Sequence, residues 1–127
     1  MSATILLVED NEQNRYLATF LLQRKGHMVI HAANGEAAIE RVCEARPDLI
    51  LMDIQMPKMD GYEAAERIRT MPGLDAVPII AVTSFAMLGD REKALRMGFA
   101  GYIEKPISPE TFVSDVTRFL PAPPSEA

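Results

Sequence analysis

The run Leu49–Met52 constrains the fold of this chain more than any other stretch of the sequence. Its four residues are apolar and consecutive, a pattern typical of a strand that is buried on both faces of a parallel sheet. Asp53 follows at once, and Pro57 prevents the strand from continuing. Open α/β sheets bind ligands beyond the carboxyl ends of their strands, so Asp53 is a candidate functional residue. A lone Asp in this position is more often a turn former, so the choice depends on the rest of the chain.

Four further short runs of mostly apolar residues predict strands, and a stretch with helical periodicity follows each of the five strands. Asn34 is expected to cap the second helix, and Ser108 the fifth, with Pro109 at its first helical position. Gly89 is predicted to lie inside the fourth helix and to loosen its first turn. This alternation predicts an α/β fold with right-handed crossovers and one parallel sheet covered by helices on both faces. The four further strands are expected at Thr4–Val8, Met28–His31, Val77–Val82 and Gly101–Glu104.

Length, charge and cysteine content narrow the class of protein. A chain of 127 residues fits one domain, expected over residues 1–120, with a Pro-rich disordered tail over residues 121–127. The net charge of -5 argues against nucleic-acid and anionic-membrane partners. Neither a membrane span nor a secretory signal is visible. Cys43 is the only cysteine, which excludes an internal disulfide and suits the cytoplasm. Cys43 is predicted to pack on the apolar face of the second helix.

Polar residues follow four of the predicted strands. Glu9 and Asp10 end the first strand and Asp53 ends the third, while Thr83 ends the fourth and Lys105 the fifth. Because the carboxyl ends of parallel strands lie on one edge of the sheet, we expect these side chains to converge. Taken alone, each has an ordinary structural interpretation, as helix N-terminal charge, turn hydroxyl or solvated lysine. Their convergence favours a functional site.

Crowded carboxylates resist ionisation unless a cation joins them, and oxygen ligands without His or Cys suit Mg²⁺. A metal ion, the ammonium of Lys105 and the hydroxyl of Thr83 are suited to hold a phosphoryl group. In that setting the carboxylate of Asp53 can act as a nucleophile and become an aspartyl phosphate. The sequence therefore predicts a magnesium-dependent phosphoryl site.

Four motifs occur in order along the chain: ILLVEDN at 5–11, LILMDIQMPKMDG at 49–61, VTSFA at 82–86 and YIEKPIS at 102–108. Together they resemble the receiver domain of two-component response regulators, which has the CheY-like fold. The resemblance covers about Thr4 to Leu120 and is closest to single-domain members, DivK-like ones among them. It implies a doubly wound (βα)5 fold with the strand order 2-1-3-4-5, which places the first and third strands side by side.

The resemblance also implies roles for the metal-binding half of the site. Asp53 would be the phosphoacceptor and a metal ligand. Asp10 would bind the metal directly, with Glu9 nearby, and the backbone carbonyl of Gln55 would be the third protein ligand. Glu9 stands where the family more often has Asp.

In the phosphoryl-binding half, the resemblance implies that Thr83 binds a phosphoryl oxygen and that Lys105 pairs with the phosphoryl group. The Lys105–Pro106 bond is expected to be cis, and Tyr102 is expected to be the switch aromatic that turns inward as Thr83 moves. Phe85, two residues after Thr83, has no polar group to position a hydrolytic water, which predicts slow self-dephosphorylation.

The predicted function is that of a cytoplasmic phosphorylation switch without an output domain. A sensor histidine kinase or phosphotransfer protein would donate the phosphoryl group from a phosphohistidine to Asp53. The face built from the fourth helix, fifth strand and fifth helix would then change its protein partners. The chain would not be an enzyme with a separate substrate, but a phosphoacceptor that assists its own phosphorylation and dephosphorylation.

Three alternatives remain open at the level of sequence. A hydrolase with an Asp nucleophile, such as a phosphatase, commonly has a second acid two residues later, where this chain has Gln55. A pseudo-receiver would bind partners without taking phosphate and would lack one of the key residues, yet all of them are present. The chain could also be a receiver excised from a hybrid kinase, with residues 121–127 as the start of a linker.

Overall fold

A computed structural model describes residues 3–54, 61–83 and 89–120 of the chain. Strands and helices alternate strictly along it. The strands are β1 (Thr4–Val8), β2 (Met28–Ala32), β3 (Leu49–Asp53), β4 (Ile79–Thr83) and β5 (Gly101–Glu104). The helices are α1 (Glu12–Arg24), α2 (Gly35–Ala45), α3 (Gly61–Arg69), α4 (Asp90–Arg96) and α5 (Phe112–Thr117).

The five strands form one parallel sheet in the order β2-β1-β3-β4-β5, which confirms the predicted fold class and strand order. In this order β1 and β3 are neighbours, with Val8 paired to Met52. Asp53 is paired to Val82, and Thr83 to Glu104. The carboxyl ends of β1, β3, β4 and β5 therefore lie side by side, as the convergence of their polar residues requires.

Successive residues of β3 point to opposite faces of the sheet and enter two separate apolar cores. Ile50 and Met52 pack in the core beneath α2, α3 and α4, which includes Ala38, Val42 and Ile68. Leu49 and Leu51 pack in the core beneath α1 and α5, which includes Leu22, Phe112 and Val116. All four β3 residues are fully buried, which explains the continuous apolar run in the sequence.

Asparagine side chains begin two of the helices. The Oδ1 of Asn11 accepts a hydrogen bond of 2.9 Å from the backbone N–H of Asn14. The Oδ1 of Asn34 accepts one of 2.8 Å from the N–H of Ala37, so the predicted cap of the second helix is confirmed. Each side chain satisfies a backbone donor that the helix itself leaves free.

The predicted beginnings of the last two helices are wrong. Gly89 immediately precedes α4 and has a φ of +89°, a left-handed conformation that a residue inside a right-handed helix does not adopt. The fifth helix begins at Phe112, because the hydroxyl of Ser108 bonds the Glu110 carboxylate at 2.9 Å and caps no backbone amide. The Ser108 carbonyl instead closes a turn by accepting from the N–H groups of Thr111 and Phe112.

The packing prediction for Cys43 is also wrong, because its side chain is exposed. The buried residues of α2 are Gly35, Ala38 and Val42, at spacings of three and four. Cys43 is one residue, or about 100°, further round the helix, outside this stripe. Phe20 of α1 is likewise 46% exposed, because it lies about 200° round the helix from the buried residues Ala18 and Leu22.

Both histidines, His27 and His31, have structural contacts. The Nδ1 of His27 accepts a hydrogen bond of 3.1 Å from the N–H of Ala3, and burial lowers the pKa of this side chain. The Nε2 of His31 lies 2.9 Å from the hydroxyl of Thr19. Protonation of His27 at Nδ1 would turn a hydrogen-bond acceptor into a donor that faces another donor.

Stability is therefore expected to depend on the protonation of His27. Its folded-state pKa lies below the unfolded value, so the unfolded chain binds the proton first and stability is lost as pH falls through and below about 6.5. Urea unfolding between pH 7.5 and pH 5.5 should show a steeper loss for the wild type than for His27→Gln. One such group contributes at most about 1.4 kcal/mol per pH unit. Parallel pH profiles for the two proteins would contradict the prediction.

Candidate functional site

Three carboxylates meet at the carboxyl ends of β1 and β3. Glu9, Asp10 and Asp53 each offer one carboxylate oxygen, and these oxygens all lie within 4.8 Å of one another. Glu9 and Asp53 are buried, whereas Asp10 is exposed. The adjacency of β1 and β3 in the sheet produces this cluster from residues that are more than forty positions apart.

Lys105 joins two of these carboxylates. Its Nζ lies 2.6 Å from the Oε1 of Glu9 and 3.2 Å from the Oδ2 of Asp53. The side chains are only 7%, 4% and 5% exposed, so the three charges form a buried ion-paired group. The backbone N–H of Lys105 donates to the carbonyl of Thr83 at 2.8 Å, which fixes the start of the loop after β5. The Lys105–Pro106 peptide bond is cis, as expected.

The loop after β1 holds Glu9 in place through two further contacts. The Oε2 of Glu9 accepts a hydrogen bond of 3.1 Å from the N–H of Asn11. The Nη1 of Arg15, in the first turns of α1, donates to the Glu9 carbonyl at 3.1 Å. No pattern in the sequence singles out Arg15, because its contact is with a backbone atom that every residue type possesses.

Gly61, the first residue of α3, is a second contributor that the sequence argument missed. A Cβ at this position would lie 2.6 Å from the backbone oxygen of Asp53 and 2.8 Å from the Cα of Ile54. The N–H of Gly61 donates to the Ile54 carbonyl at 2.9 Å. Only glycine therefore allows α3 to begin against the end of β3, and the sole signal in the sequence was its place at the end of the motif LILMDIQMPKMDG.

Thr83 and Tyr102 lie on the next two strands of the sheet, β4 beside β3 and β5 beyond it. Thr83 ends β4 and is 2% exposed. The ring of Tyr102, on β5, is buried, and the guanidinium of Arg91 lies 5.5 Å from its centroid. Among residues 3–54, 61–83 and 89–120, no group forms a hydrogen bond with the buried Tyr102 hydroxyl. Burial raises the pKa of Tyr102, and the carboxylates of Asp90 and Glu104 add to this shift.

Two predicted contributors fall outside the part of the chain that the structure describes. These are Gln55, the expected carbonyl ligand, and Phe85, on which the prediction of slow dephosphorylation depends. Of the other predicted site residues, the structure brings Glu9, Asp53 and Lys105 into direct contact and places Asp10 in the same carboxylate cluster.

The donor chemistry of this cluster fits a hard divalent cation. Three carboxylates within 4.8 Å, two of them buried and one facing solvent, offer oxygen ligands and an open side for water. No histidine or cysteine belongs to the cluster, which disfavours zinc and copper. The residues present therefore fit Mg²⁺.

Comparison with known proteins agrees with this geometry. The profile of the family described as "Response regulator receiver domain" matches residues 5–117. The polar-differentiation response regulator DivK of Brucella anthropi is 41% identical over 120 residues, which cover 94% of this chain and 98% of that protein. The chain therefore belongs to the response regulator receiver family and is a component of two-component signalling.

Solved structures of the same fold include two informative neighbours. Chemotaxis protein CheY4 of Vibrio cholerae superposes with a TM-score of 0.88 at 30% identity, covering 94% of this chain and 100% of that one. The receiver domain of a sensor histidine kinase from Pseudomonas aeruginosa PAO1 superposes with a TM-score of 0.83 at 37% identity. That match covers 93% of this chain and 97% of the other, which has a magnesium ion coordinated in its active-site cleft.

The family assignment favours a signalling role over the hydrolase alternative considered for the sequence. Within the described residues, no helix combines the length and apolar character needed to span a bilayer.

Proposed function

We propose that this receiver domain accepts a phosphoryl group on Asp53, in a Mg²⁺-dependent reaction with a phosphohistidine of a sensor kinase or phosphotransfer protein. The observation that carries the proposal is the position of Asp53. Its carboxylate is buried at the end of a central strand, 3.2 Å from the ammonium of Lys105 and within 4.8 Å of two further carboxylates. A nucleophile, a cation and a metal-ligand set thus share one small volume.

The proposed metal ligands are Asp10, Asp53 and the carbonyl of Gln55, with Glu9 close by. Bound there, Mg²⁺ would offset the negative charge of the phosphoryl oxygens and of the carboxylates that face them. Asp10, the exposed member of the cluster, marks the side from which the cation and the phosphodonor enter.

The chemistry at Asp53 is a substitution at phosphorus. A carboxylate oxygen of Asp53 forms the new bond to phosphorus while the bond between phosphorus and the histidine nitrogen of the donor breaks, leaving an imidazole and an aspartyl phosphate. Lys105 keeps its positive charge throughout and pairs with the transferred group. Because Asp53 is almost fully buried, little room is left for a competing water.

The signal is proposed to leave the site through Thr83 and Tyr102. The hydroxyl of Thr83 donates to a phosphoryl oxygen, and the movement of Thr83 changes the space available to the Tyr102 ring. Tyr102 lies on the surface formed by α4, β5 and α5, hereafter the α4–β5–α5 face. A groove of about 380 Å³ on this face is lined by Arg91, Glu104 and Asp115, among others, and suits a protein partner with mixed charges.

The domain is proposed to span residues 1–120, in line with the family match over 5–117 and the end of α5 at Thr117. Its partners are proposed to be proteins and neither nucleic acid nor membrane, given a net charge of -5. We place it in the cytoplasm, where the lone, exposed Cys43 would stay reduced.

Incubation with Mg²⁺ and acetyl phosphate, or with a phosphorylated kinase, tests the assignment of Asp53. Intact-mass measurement should show one phosphoryl adduct on the wild type, and its rate of formation should fall at least about 100-fold in Asp53→Asn, because the amide is not a nucleophile. Omission of Mg²⁺ should suppress the adduct as well.

The matched control is Asp75→Asn, which removes an exposed carboxylate outside the site and should leave the reaction unchanged. An adduct that forms in full on Asp53→Asn would overturn the proposal.

A further inference from the structure

Helix α4 is attached to the domain by unusually little apolar burial. Of its seven residues, Ala94 alone is buried. Helix α3, by comparison, buries Ala64, Ala65 and Ile68 in addition to its first glycine. Because hydrophobic stabilisation scales with the apolar area removed from water, the single methyl group of Ala94 cannot hold α4 firmly. Other contacts must supply its attachment.

Two cations of α4 lie over tyrosine rings on two different neighbouring elements. The guanidinium of Arg91 is 5.5 Å from the ring centroid of Tyr102 on β5. The Nζ of Lys93 is 4.8 Å from the ring centroid of Tyr62 on α3. Both distances are within the range of a cation–π interaction, which changes an equilibrium by about 2-fold at exposed sites and about 30-fold when desolvated.

The contacts of Arg91 and Lys93 with the two rings, hereafter the two clamps, lie on opposite sides of α4. Positions 91 and 93 are separated by an arc of about 160° on a helix, and position 94 lies within this arc. Ala94 therefore faces the core while Arg91 and Lys93 reach out to either side of it. Lateral movement or rolling of α4 would break one of the two contacts.

The two tyrosine rings are more deeply buried than the two cations that lie over them. Tyr62 packs edge-to-face on the buried ring of Phe99, with centroids 5.7 Å apart and an interplanar angle of 85°. Tyr102 is 7% exposed, and no described residue bonds its hydroxyl. A buried hydroxyl without a partner disfavours the inward position of that ring, so the contact with Arg91 offsets part of this cost.

A third cation holds the C-terminal end of α4 from outside the helix. The guanidinium of Arg69, on α3, donates to the Met97 carbonyl and lies 5.9 Å from the centroid of the Phe99 ring. This contact leaves the N-terminal half of α4, where Arg91 lies, as the half that depends on the clamps. Gly89 precedes it with nothing within 4 Å of the site of a Cβ, so the backbone there has room to turn.

We propose that Arg91 and Lys93 are positioning residues that seat α4 on the domain through cation–π contacts with Tyr102 and Tyr62. The position of α4 is then set by two surface cations rather than by an apolar core. The consequence of this weak seating for signalling rests on the function proposed above. The α4–β5–α5 face rearranges readily, because release of α4 breaks only two cation–π contacts and uncovers little apolar surface.

Hydrogen exchange measured by mass spectrometry, on the full chain without Mg²⁺ or phosphodonor, tests the seating. Exchange of the α4 amides should accelerate about 3–10-fold in Arg91→Met and in Lys93→Met, as loss of one cation–π contact requires. Exchange in β1 and β3 should not change. Loss of Arg91 from the first turn would by itself favour the helix dipole and slow exchange, so the expected sign distinguishes the two effects.

The matched controls keep the cation. Arg91→Lys and Lys93→Arg should exchange within about twofold of the wild type, since either cation can lie over a ring. In a Tyr102→Leu background the substitution Arg91→Met should no longer accelerate exchange, because the ring is already absent and only the slowing effect of the helix dipole remains. Equal acceleration by Arg91→Met with and without the ring, or by Arg91→Lys and Arg91→Met alike, would overturn the proposal.

A second arm separates this proposal from that of phosphorylation. With Mg²⁺ and beryllofluoride, a phosphoryl mimic, wild-type α4 should change its exchange, and Arg91→Met should change less because its helix is already released. If beryllofluoride does not change hydrogen exchange in wild-type α4, the result would count against the proposed phosphorylation. The metal-free exchange results on the seating of α4 would still stand.

Discussion

Replacement of Lys105 by Met is expected to lower the free energy of unfolding by about 3–5 kcal/mol in metal-free buffer at pH 7. The methionine fills a similar volume but leaves Glu9 and Asp53 as two buried carboxylates without their shared cation. Desolvation of the two charges is then no longer offset, and their mutual repulsion adds to the loss. Urea or thermal unfolding measures the change.

Two comparisons test this explanation. Excess Mg²⁺ should restore much of the stability lost in Lys105→Met, because the carboxylates gain a new cation only in the folded state. Lys25→Met removes an exposed lysine at the end of α1 and should change stability by less than about 0.5 kcal/mol. If both substitutions have the same small effect, the buried ion-paired group does not contribute to stability as described.

Gly61→Ala is expected to destabilise the fold by about 3 kcal/mol and to slow phosphorylation of Asp53. The new Cβ would overlap the backbone oxygen of Asp53 and the Cα of Ile54, neither of which can move without displacing the end of β3. Chemical denaturation gives the stability, and the intact-mass assay with acetyl phosphate gives the rate.

Gly101→Ala supplies the matched comparison. Its Cβ would lie 2.6 Å from a ring atom of Phe119, but this ring is only partly buried and can rotate away. The expected cost is about 1 kcal/mol, with the phosphorylation rate retained. If the two substitutions lower the free energy of unfolding equally, a clash with backbone atoms at Gly61 is no more destabilising than a clash with the Phe119 ring at Gly101.

The sequence was sufficient to predict the central strands and their polar ends. Residues Leu49–Met52 are buried on both faces of the sheet, and a strand in that environment must be apolar at every position. Glu9, Asp53 and Lys105 were expected to converge because strand ends share an edge, and the structure brings them within ion-pairing distance. The strand order came from the resemblance to receiver domains, since periodicity alone does not fix which strands are neighbours.

The features that the sequence did not reveal depend on single rotations or on backbone atoms. Cys43 and Phe20 belong to apolar stretches, but each lies about 100–200° round its helix from the nearest buried residues. Ser108 has a competing partner in Glu110, which no propensity rule weighs. Arg15 and Gly61 act through the carbonyls of Glu9 and Asp53 and so leave no pattern of residue types.

The sheet divides the molecule into two independent compartments, and the α4–β5–α5 face is where they come to the surface together. Adjacent residues of β5 belong to different cores, Tyr102 to the one beneath α4 and Ile103 to the one that includes α5. A partner bound across this outer strand would therefore contact elements that are packed in both cores. Substitutions that repack one compartment should alter one side of that contact surface while leaving the other compartment, and the carboxylates at the rim between them, unchanged.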